Sequence, residues 1–255
     1  MFKRTFVFVY GLASYVVFLA TFLYAVGFVA NIAVPRSIDA PPDGDFATAL
    51  MVDVALLTLF ALQHSGMARG AFKRWITRFI PVAAERSTYV LVSSAALIVL
   101  FAFWRPLGGS IWSVSGPAAI ALQALSATGW LLVLVSTFLI DHFDLFGLRQ
   151  IWAFLRGAEY HHVGFRQPGP YRLVRHPLYV GFLLAFWATP SMTITHLLFA
   201  LATTGYILVA IQLEERDLVA HLGEAYREYK RRVPMLVPFT RRAPAAPPDA
   251  GLAPR

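Results

Sequence analysis

Residues 178–213 read LYVGFLLAFWATPSMTITHLLFALATTGYILVAIQL and carry no charged side chain. An α-helix rises about 1.5 Å per residue, so one helix over this stretch would be much longer than the roughly 30 Å of a bilayer's hydrocarbon core. The tripeptide Thr189-Pro190-Ser191 interrupts the run, and a proline there removes a backbone donor and favours a break. The stretch therefore predicts two membrane helices in a tight hairpin, of which the first is short.

Four further apolar runs lie N-terminal to this hairpin. They cover residues 5–34, 46–63, 87–103 and 117–140, and each is bounded by proline, glycine or charge. The first run is too long for the apolar region of a signal peptide. With 58% hydrophobic and 14% charged residues, the chain is predicted to be all-α, a polytopic membrane helical bundle of about six spans that includes the closing hairpin.

Lysine and arginine are distributed unevenly between the loops that join these runs. Residues 66–86, 141–177 and 227–242 are rich in them, whereas residues 35–45 and 104–116 each contain a single arginine. Because cytoplasmic loops carry an excess of basic residues, this alternation favours six spans with both termini in the cytoplasm. We therefore attribute the net charge of +8 to the basic cytoplasmic loops. Nucleic acid is not expected as a partner.

The chain becomes polar after residue 213 but keeps a helical spacing of apolar side chains. The apolar stripe consists of Leu218, His221 or Leu222, Ala225 and Tyr229. This pattern predicts a C-terminal helix that runs out of the membrane onto its cytoplasmic surface. The helix is expected to break at Gly223, to restart, and to end at Pro234 and Pro238.

The expected domain organisation is simple. Residues 241–255 are rich in proline and alanine and are predicted to form a disordered tail. Residues 1–240 are predicted to form one integral membrane domain. Its functional half is expected at residues 141–239, where the polar groups described below are found.

Several kinds of chemistry are excluded by what the sequence lacks. There is no cysteine, which excludes disulfides, thiolate metal ligands and a cysteine nucleophile. No GxGxxG or P-loop motif is present, which argues against a soluble nucleotide-binding fold. His161 and His162 are adjacent and point apart in any regular element, so no metal site is predicted.

Polar groups are concentrated where the hairpin begins and ends. Gly169-Pro170-Tyr171 and Arg175-His176-Pro177-Leu178-Tyr179 are found at its start, and Glu214-Glu215 follows it. Paired carboxylates at a membrane end are disfavoured near anionic lipid and need a cationic partner, which is either an arginine or a bound cation. The structural alternative is that His176 caps a helix and Arg175 is an ordinary positive-inside anchor.

This region resembles the isoprenylcysteine carboxyl methyltransferase superfamily of membrane methyltransferases. The resemblance rests on the three motifs above and on Gly181, Leu218, Gly223, Tyr226, Tyr229 and Val233-Pro234. It implies S-adenosyl-L-methionine as the cofactor, bound in a cytoplasmic pocket between the hairpin and the C-terminal helix. The cofactor-binding residues that it implies are Val163, Gly164, Phe165, Arg166, Tyr171, His176, Pro177, Leu178, Tyr179, Glu214 and Glu215.

The N-terminal half resembles the methanethiol S-methyltransferase branch. The resemblance rests on residues 63–69 (QHSGMAR), 72–75 (FKRW), 85–89 (ERSTY), 104–106 (WRP) and 141–150 (DHFDLFGLRQ). It implies methyl transfer from S-adenosyl-L-methionine to methanethiol, a small volatile thiol, with dimethyl sulfide and S-adenosylhomocysteine as products. The protein is then expected in the bilayer of a bacterial inner membrane with its cofactor site cytoplasmic. Its oligomeric state is left open.

Two other functions stay open. Prenylcysteine enzymes place an arginine about one helical turn before their glutamates to hold the substrate carboxylate, where this chain has Ala210, Ile211 and Gln212. This departure argues against a methyltransferase of the same superfamily that acts on a lipid or a prenylcysteine. A non-enzymatic membrane protein of the NnrU-like kind is the second alternative.

The implied reaction needs a thiolate, which calls for a base or a fixed positive charge. The catalytic candidates are Asp141, His142 and Asp144 at the end of the fourth span and His64 at the same end of the second. The alternative for such residues is helix capping or pairing with Arg149 and Arg86. For Glu85 beside Arg86, an ion pair or a loop anchor is the favoured interpretation.

Overall fold

The computed structural model describes residues 1–161, 164 and 166–240. The predicted tail at residues 241–255 lies outside the described residues, and the single domain over residues 1–240 stays a prediction. The helices are α1 (Phe2–Ala30), α2 (Phe46–Ala68), α3 (Gly70–Ile76), α4 (Glu85–Phe103), α5 (Gly116–Ile140), α6 (His142–Leu145), α7 (Leu148–Arg156), α8 (Pro177–Trp187), α9 (Ile194–Leu222) and α10 (Glu224–Arg232). Strands β1 (Ser110–Ser113) and β2 (Ser191–Thr193) pair antiparallel, and Val82–Ala84 and Gly169–Arg172 form short 3-10 helices.

The predicted all-α membrane bundle is confirmed. Helices α1, α2, α4 with the turn before it, α5 and α9 are long and apolar enough to cross a membrane. Helix α8 is the short member of the hairpin: its 11 residues span roughly 16 Å, about half of the hydrocarbon core. Leu62, Leu131 and Val209 are exposed on these helices, as suits a surface covered by lipid.

The predicted break in the hairpin is also confirmed. Helix α8 ends at Trp187 and α9 begins at Ile194. The Thr193 hydroxyl caps α9 by accepting a hydrogen bond of 3.0 Å from the backbone N–H of His196. Between the two helices β2 pairs with β1, which satisfies backbone groups that the break leaves without helical partners. These strands were not predicted, because strands of three or four residues are too short to produce a recognisable alternation.

Helices α5 and α8 pack with their backbones in close contact. Gly129 of α5 faces Gly181 and Ala185 of α8, and an ideal Cβ at Gly181 would lie 2.7 Å from the carbonyl oxygen of Gly129. Small residues permit this approach, and van der Waals packing is a main source of helix association in lipid. The contact fixes the start of α8, with its polar motif, beside the end of α5.

A buried histidine closes the end of the bundle that contains the strand pair. His196 Nδ1 lies 2.9 Å from Asp39 Oδ2, and Nε2 lies 2.9 Å from the carbonyl oxygen of Phe186. Both ring nitrogens therefore face oxygen atoms that accept hydrogen bonds. Burial opposes the ionisation of Asp39, but hydrogen bonds from His196 and Thr193 outweigh it and lower the pKa of Asp39. The loop between α1 and α2 is thereby tied to the hairpin.

The C-terminal helix breaks where it was predicted to break. Gly223 separates α9 from α10 and has a φ of 59°, a left-handed value that favours glycine. Tyr226, Tyr229 and Val233 are buried against the last turns of α9. The α10 segment therefore folds back onto the end of the bundle.

The basic segments are collected at one end of the bundle, called the basic end below. Val7 near the start of α1 is buried together with Ala84 and Ile151. Arg69, which follows α2, forms an ion pair of 3.1 Å with Asp217 of α9. The N-terminus, the two basic loops and α10 therefore share this end. The start of α1 and the α10 segment therefore lie at the same end of a bundle of five membrane-length helices and the shorter α8.

The substitution Gly181→Ala tests the α5 and α8 contact. A methyl group at this position meets the Gly129 backbone, so we expect the two helices to separate and the protein to lose about 1–3 kcal/mol of stability. Thermal melting in detergent measures the loss. Gly205→Ala on α9 is the control, because a Cβ at Gly205 has no neighbouring atom within 4 Å. Equal melting temperatures for the two variants would contradict the close packing.

Candidate active site

A buried cluster at the basic end is centred on Glu215. Its Oε1 accepts hydrogen bonds from Arg175 Nε at 2.6 Å and from His176 Nε2 at 3.0 Å, and its Oε2 lies 2.7 Å from Lys230 Nζ. The side chains of Glu215 and Arg175 are each only 3% exposed. A buried carboxylate is tolerated when it is paired and hydrogen-bonded. The charge of Glu215 is therefore fully compensated inside the protein.

The same cluster holds the C-terminal segment against the start of α8. Arg175 Nη1 donates to the carbonyl oxygen of Val233 at 2.6 Å. The backbone N–H groups of Arg175 and His176 donate to the carbonyl oxygens of Pro234 and Met235 at 2.8 and 3.2 Å. His176 is also the residue that precedes Pro177, the first residue of α8. The Arg-His-Pro motif thus joins three segments of the chain.

Glu214 has different surroundings from its neighbour. The Tyr179 hydroxyl donates to Glu214 Oε2 at 3.1 Å, and His176 Nδ1 lies 4.0 Å from the same oxygen. The Glu214 side chain is 46% exposed, and no lysine or arginine in the described part of the chain is within ion-pair distance of it. Burial raises the pKa of Tyr171, and the nearby Glu214 charge raises it further. Glu214 is thus a carboxylate beside two tyrosines without a cationic side chain to neutralise it.

The structure brings only some of the predicted cofactor residues together. His176, Tyr179, Glu214 and Glu215 form one hydrogen-bonded group, and Tyr171 lies close enough to interact electrostatically with Glu214.

The other predicted cofactor residues have more varied surroundings. Pro177 is buried, Leu178 is half-buried, and Gly164 and Arg166 are exposed. Val163 and Phe165 lie outside the described residues. Arg166 is close enough to Asp141 to favour ionisation of that carboxyl, which places the 166 region near the end of α5.

His64 lies in a polar cluster between α2, α4 and α9. The Tyr89 hydroxyl is 2.8 Å from His64 Nε2, and the Ser93 hydroxyl is 3.1 Å from Nδ1. Tyr206 of α9 accepts a hydrogen bond of 3.2 Å from Ser65, and both Tyr206 and Tyr89 interact electrostatically with Tyr179. His64 is therefore on the same side of the bundle as the Glu214 surroundings. Tyr206 was not predicted as a site residue; a tyrosine inside an otherwise apolar span is the signal that points to it.

Asp141 serves as a helix cap and as an ion-pair partner. Its Oδ1 accepts a hydrogen bond of 3.0 Å from the backbone N–H of Asp144, and its Oδ2 pairs with Arg149. Burial opposes ionisation, but the Asp144 N–H and the Arg149 guanidinium outweigh it and lower the pKa of Asp141. The capping and Arg149 pairing that were considered as the alternative for this residue are both observed.

His142 and Asp144 contact two different sets of residues. His142 is buried, with Nε2 2.8 Å from the Tyr15 hydroxyl and Nδ1 2.8 Å from the Thr137 hydroxyl. Asp144 Oδ1 accepts a hydrogen bond of 2.5 Å from Tyr160. The four catalytic candidates are thus not gathered at one point, and His64 is the one that lies with Tyr179.

Of the two roles expected for Glu85 and Arg86, an ion pair or a loop anchor, the ion pair is not found within the described residues, and the loop anchor stays a prediction. Within the described residues neither side chain has an oppositely charged group at ion-pair distance. Both line a cleft at the basic end instead. Adjacent residues on a helix point about 100° apart, so the two side chains do not face each other, and both are half-buried.

The substitution Glu215→Gln is expected to destabilise the basic end, because it leaves Arg175 and Lys230 without their buried counter-charge. Breaking such a pair costs about 3 kcal/mol. Thermal melting and faster hydrogen exchange of the α10 amides measure the effect. Glu214→Gln is the matched control, since its side chain has no ion pair with lysine or arginine. A Glu214→Gln melting temperature that falls as far would contradict the division of roles.

Comparison with known proteins identifies the family of this chain. The family model described as "Protein of unknown function (DUF1295)" matches residues 50–233. Methanethiol S-methyltransferase 2 of Bradyrhizobium diazoefficiens is 55% identical, with 95% of this chain and 94% of the relative covered. Methanethiol S-methyltransferase of Mycobacterium tuberculosis is 54% identical over 94% of this chain and 99% of the relative.

A more distant similarity reaches beyond bacteria. Nurim of Xenopus laevis is 33% identical over 68% of this chain and 63% of its own length. No solved structure matches the chain. Since the family model covers more than half of the chain and the bacterial relatives cover nearly all of it, the chain belongs to the DUF1295 family and is a member of the family of methanethiol S-methyltransferases.

Proposed function

We propose that this protein is an integral membrane methyltransferase that depends on S-adenosyl-L-methionine and methylates methanethiol to dimethyl sulfide. The observation that carries the proposal is the division of the glutamate pair into a compensated Glu215 and an exposed Glu214 beside Tyr179 and Tyr171. A carboxylate among tyrosine rings suits a sulfonium or ammonium ligand. The names of the two bacterial relatives support the choice of thiol.

The start of α8 and the end of α9 would hold the cofactor. Glu214 attracts the cationic part, and the Tyr179 hydroxyl orients the Glu214 carboxylate. His176 turns Nδ1 toward Glu214 while Glu215 holds its Nε2, so Glu215 acts on the site by positioning His176. The other residues of the proposed pocket are Val163, Gly164, Phe165, Arg166, Tyr171, Pro177 and Leu178. When bound, S-adenosyl-L-methionine supplies the activated methyl group.

His64 is the proposed base for the thiol. Asp141 is engaged by Arg149 and a helix cap, and His142 is hydrogen-bonded to Tyr15 and Thr137, neither of which belongs to the cluster around Tyr179. Asp144 accepts a short hydrogen bond from a tyrosine. His64 instead lies with Tyr89 in the cluster that extends toward Tyr179. It would accept the thiol proton as the sulfur forms its bond to the methyl carbon.

The apolar surroundings of this cluster suit the reactants. Phe60 stacks on His64 with ring centroids 5.1 Å apart, so little water is admitted around the imidazole. Alignment of the reacting atoms supplies a large part of the barrier reduction in such displacements. Methanethiol and dimethyl sulfide are small and apolar, so both can enter and leave through the lipid. A neutral thiol needs no arginine anchor, which agrees with Ala210, Ile211 and Gln212 before the glutamates.

The proposed location is the inner membrane of a bacterium, with the basic end in the cytoplasm. The N-terminus, the basic loops and α10 lie together at that end, as the positive-inside rule requires of a cytoplasmic side. The Glu214 site is then on the side where S-adenosyl-L-methionine is available. A site at this boundary meets a water-soluble cofactor from one side and a lipid-soluble thiol from the other.

The substitution Glu214→Gln is expected to weaken S-adenosyl-L-methionine binding roughly tenfold, because it removes the charge that attracts the cofactor. Isothermal titration calorimetry on the purified full chain measures the affinity, and headspace detection of dimethyl sulfide measures turnover. Glu228→Gln is the control, since Glu228 is an exposed carboxylate on α10. Unchanged affinity in Glu214→Gln would remove Glu214 from the site. Wild-type protein that binds the cofactor but releases no dimethyl sulfide would contradict the substrate assignment.

The substitution His64→Gln is expected to lower kcat by about 10²-fold, because general base catalysis is lost while the cofactor site is intact. Steady-state kinetics with methanethiol measure kcat, and calorimetry measures cofactor affinity. His142→Gln is the matched comparison, since it also replaces a hydrogen-bonded histidine near the basic end. A larger loss of kcat in His142→Gln than in His64→Gln would assign the base to His142 instead.

A further inference from the structure

A polar cleft lies at the basic end, next to the His64 cluster. It is a cleft of about 410 Å³, a volume within the roughly 300–1,000 Å³ of small-molecule sites. Its walls come from α3, from the turn and first residues of α4, and from α6 and α7. The polar side chains in these walls are Lys73, Glu85, Arg86, Asp144, Gln150 and Tyr160.

The two cations of the cleft interact electrostatically with each other, and neither forms a close ion pair within the described residues. In the part of the chain that the structure describes, no carboxylate is within ion-pair distance of Lys73 or Arg86, and both side chains are half-buried. Burial lowers the pKa of the Lys73 ammonium, and the Arg86 charge lowers it further, which together outweigh the opposing effect of Glu85 and Asp217. Two like charges held together in a half-buried place repel each other, and an anion bound between them would relieve that repulsion.

Two acceptor groups, Glu85 and Gln150, also lie in the walls of the cleft. Glu85 has no cation at ion-pair distance among the described residues. Gln150 Oε1 is buried and accepts no hydrogen bond, whereas Gln150 Nε2 donates to the carbonyl oxygen of Asp144 at 3.1 Å and to Tyr160 at 3.3 Å. These bonds fix the amide in the wall, with its oxygen buried. The cleft therefore offers two half-buried cations together with the carboxylate of Glu85.

We propose that this cleft binds the zwitterionic amino-acid end of the methyl donor, with the carboxylate between Lys73 and Arg86 and the ammonium at Glu85. An α-amino-acid group carries one anion and one cation two bonds apart. Its anion complements the two cations of the cleft, and its cation complements the carboxylate of Glu85. The inference rests on the proposed function, because it places part of the same cofactor.

The position of the cleft agrees with such a ligand. The Arg86 guanidinium lies 6.0 Å from the centre of the Tyr89 ring, and the Tyr89 hydroxyl is 2.8 Å from His64 Nε2. The cleft thus adjoins the place where the thiol is activated. In the donor, the sulfonium is separated from the amino-acid group by a short carbon chain. Charge recognition in the cleft would therefore set the position of the reacting sulfur.

Binding of two nucleosides to the detergent-purified full chain tests the proposal. S-Adenosylhomocysteine contains the amino-acid end, and 5′-methylthioadenosine has the same nucleoside and a thioether but no amino-acid end. Calorimetry is expected to show that Lys73→Gln and Arg86→Gln each weaken S-adenosylhomocysteine binding roughly tenfold and leave 5′-methylthioadenosine binding unchanged. Arg74→Gln, an exposed position on the same helix, is expected to change neither affinity.

Three results would overturn the inference. One is unchanged S-adenosylhomocysteine affinity in both cleft variants with wild-type melting temperatures. Another is an equal loss for the two nucleosides, and the third is a wild-type protein that does not prefer S-adenosylhomocysteine. Each of these leaves the proposed function standing if wild-type protein still releases dimethyl sulfide. A wild-type protein that binds neither nucleoside and releases no sulfide would overturn the proposed function itself.

Discussion

The carboxylate of Glu215 is the group on which the basic end of the molecule depends. Its side chain is only 3% exposed, and such a charge is stable inside a protein only when cations and hydrogen bonds surround it. Arg175 and His176 come from the start of α8, and Lys230 comes from α10. One acidic group on α9 therefore joins three segments, and the C-terminal chain is held over the mouth of the hairpin.

Because Glu215 occupies the ion cluster, Glu214 is outside it and can contact a ligand. Neighbouring residues on a helix point about 100° apart, so one glutamate of the pair enters the cluster while the other faces outward. Glu214 keeps its charge beside Tyr179, with half of its side chain accessible. A structural ion cluster and an open, uncompensated carboxylate thus share one turn of α9. The first gives the second a rigid position, as a binding site requires.

The apolar body of the bundle aligns these groups with the rest of the site. Close packing at Gly129 and Gly181 sets α8 against α5, and the contact of His196 with Asp39 fixes the opposite end of the hairpin. Between these contacts, His64, Tyr89 and Tyr206 form a polar cluster inside helices that are otherwise apolar. Polar side chains within spans are costly and tend to be functional. Their position beside Tyr179 links the two halves of the chain.

The sequence by itself determined the spans, the hairpin break at Pro190, the break at Gly223 and the gathering of basic segments at one end. These features depend on hydrophobic length, proline, glycine and loop charge, which are local properties of the chain. Only the tertiary structure decided which glutamate is compensated, that Asp141 is a cap, that His142 faces α1 and that Glu85 and Arg86 line a cleft. Those roles depend on contacts such as Tyr15 with His142 and Arg175 with Glu215. The partners are far apart in the chain, so no local pattern records which side chains will meet.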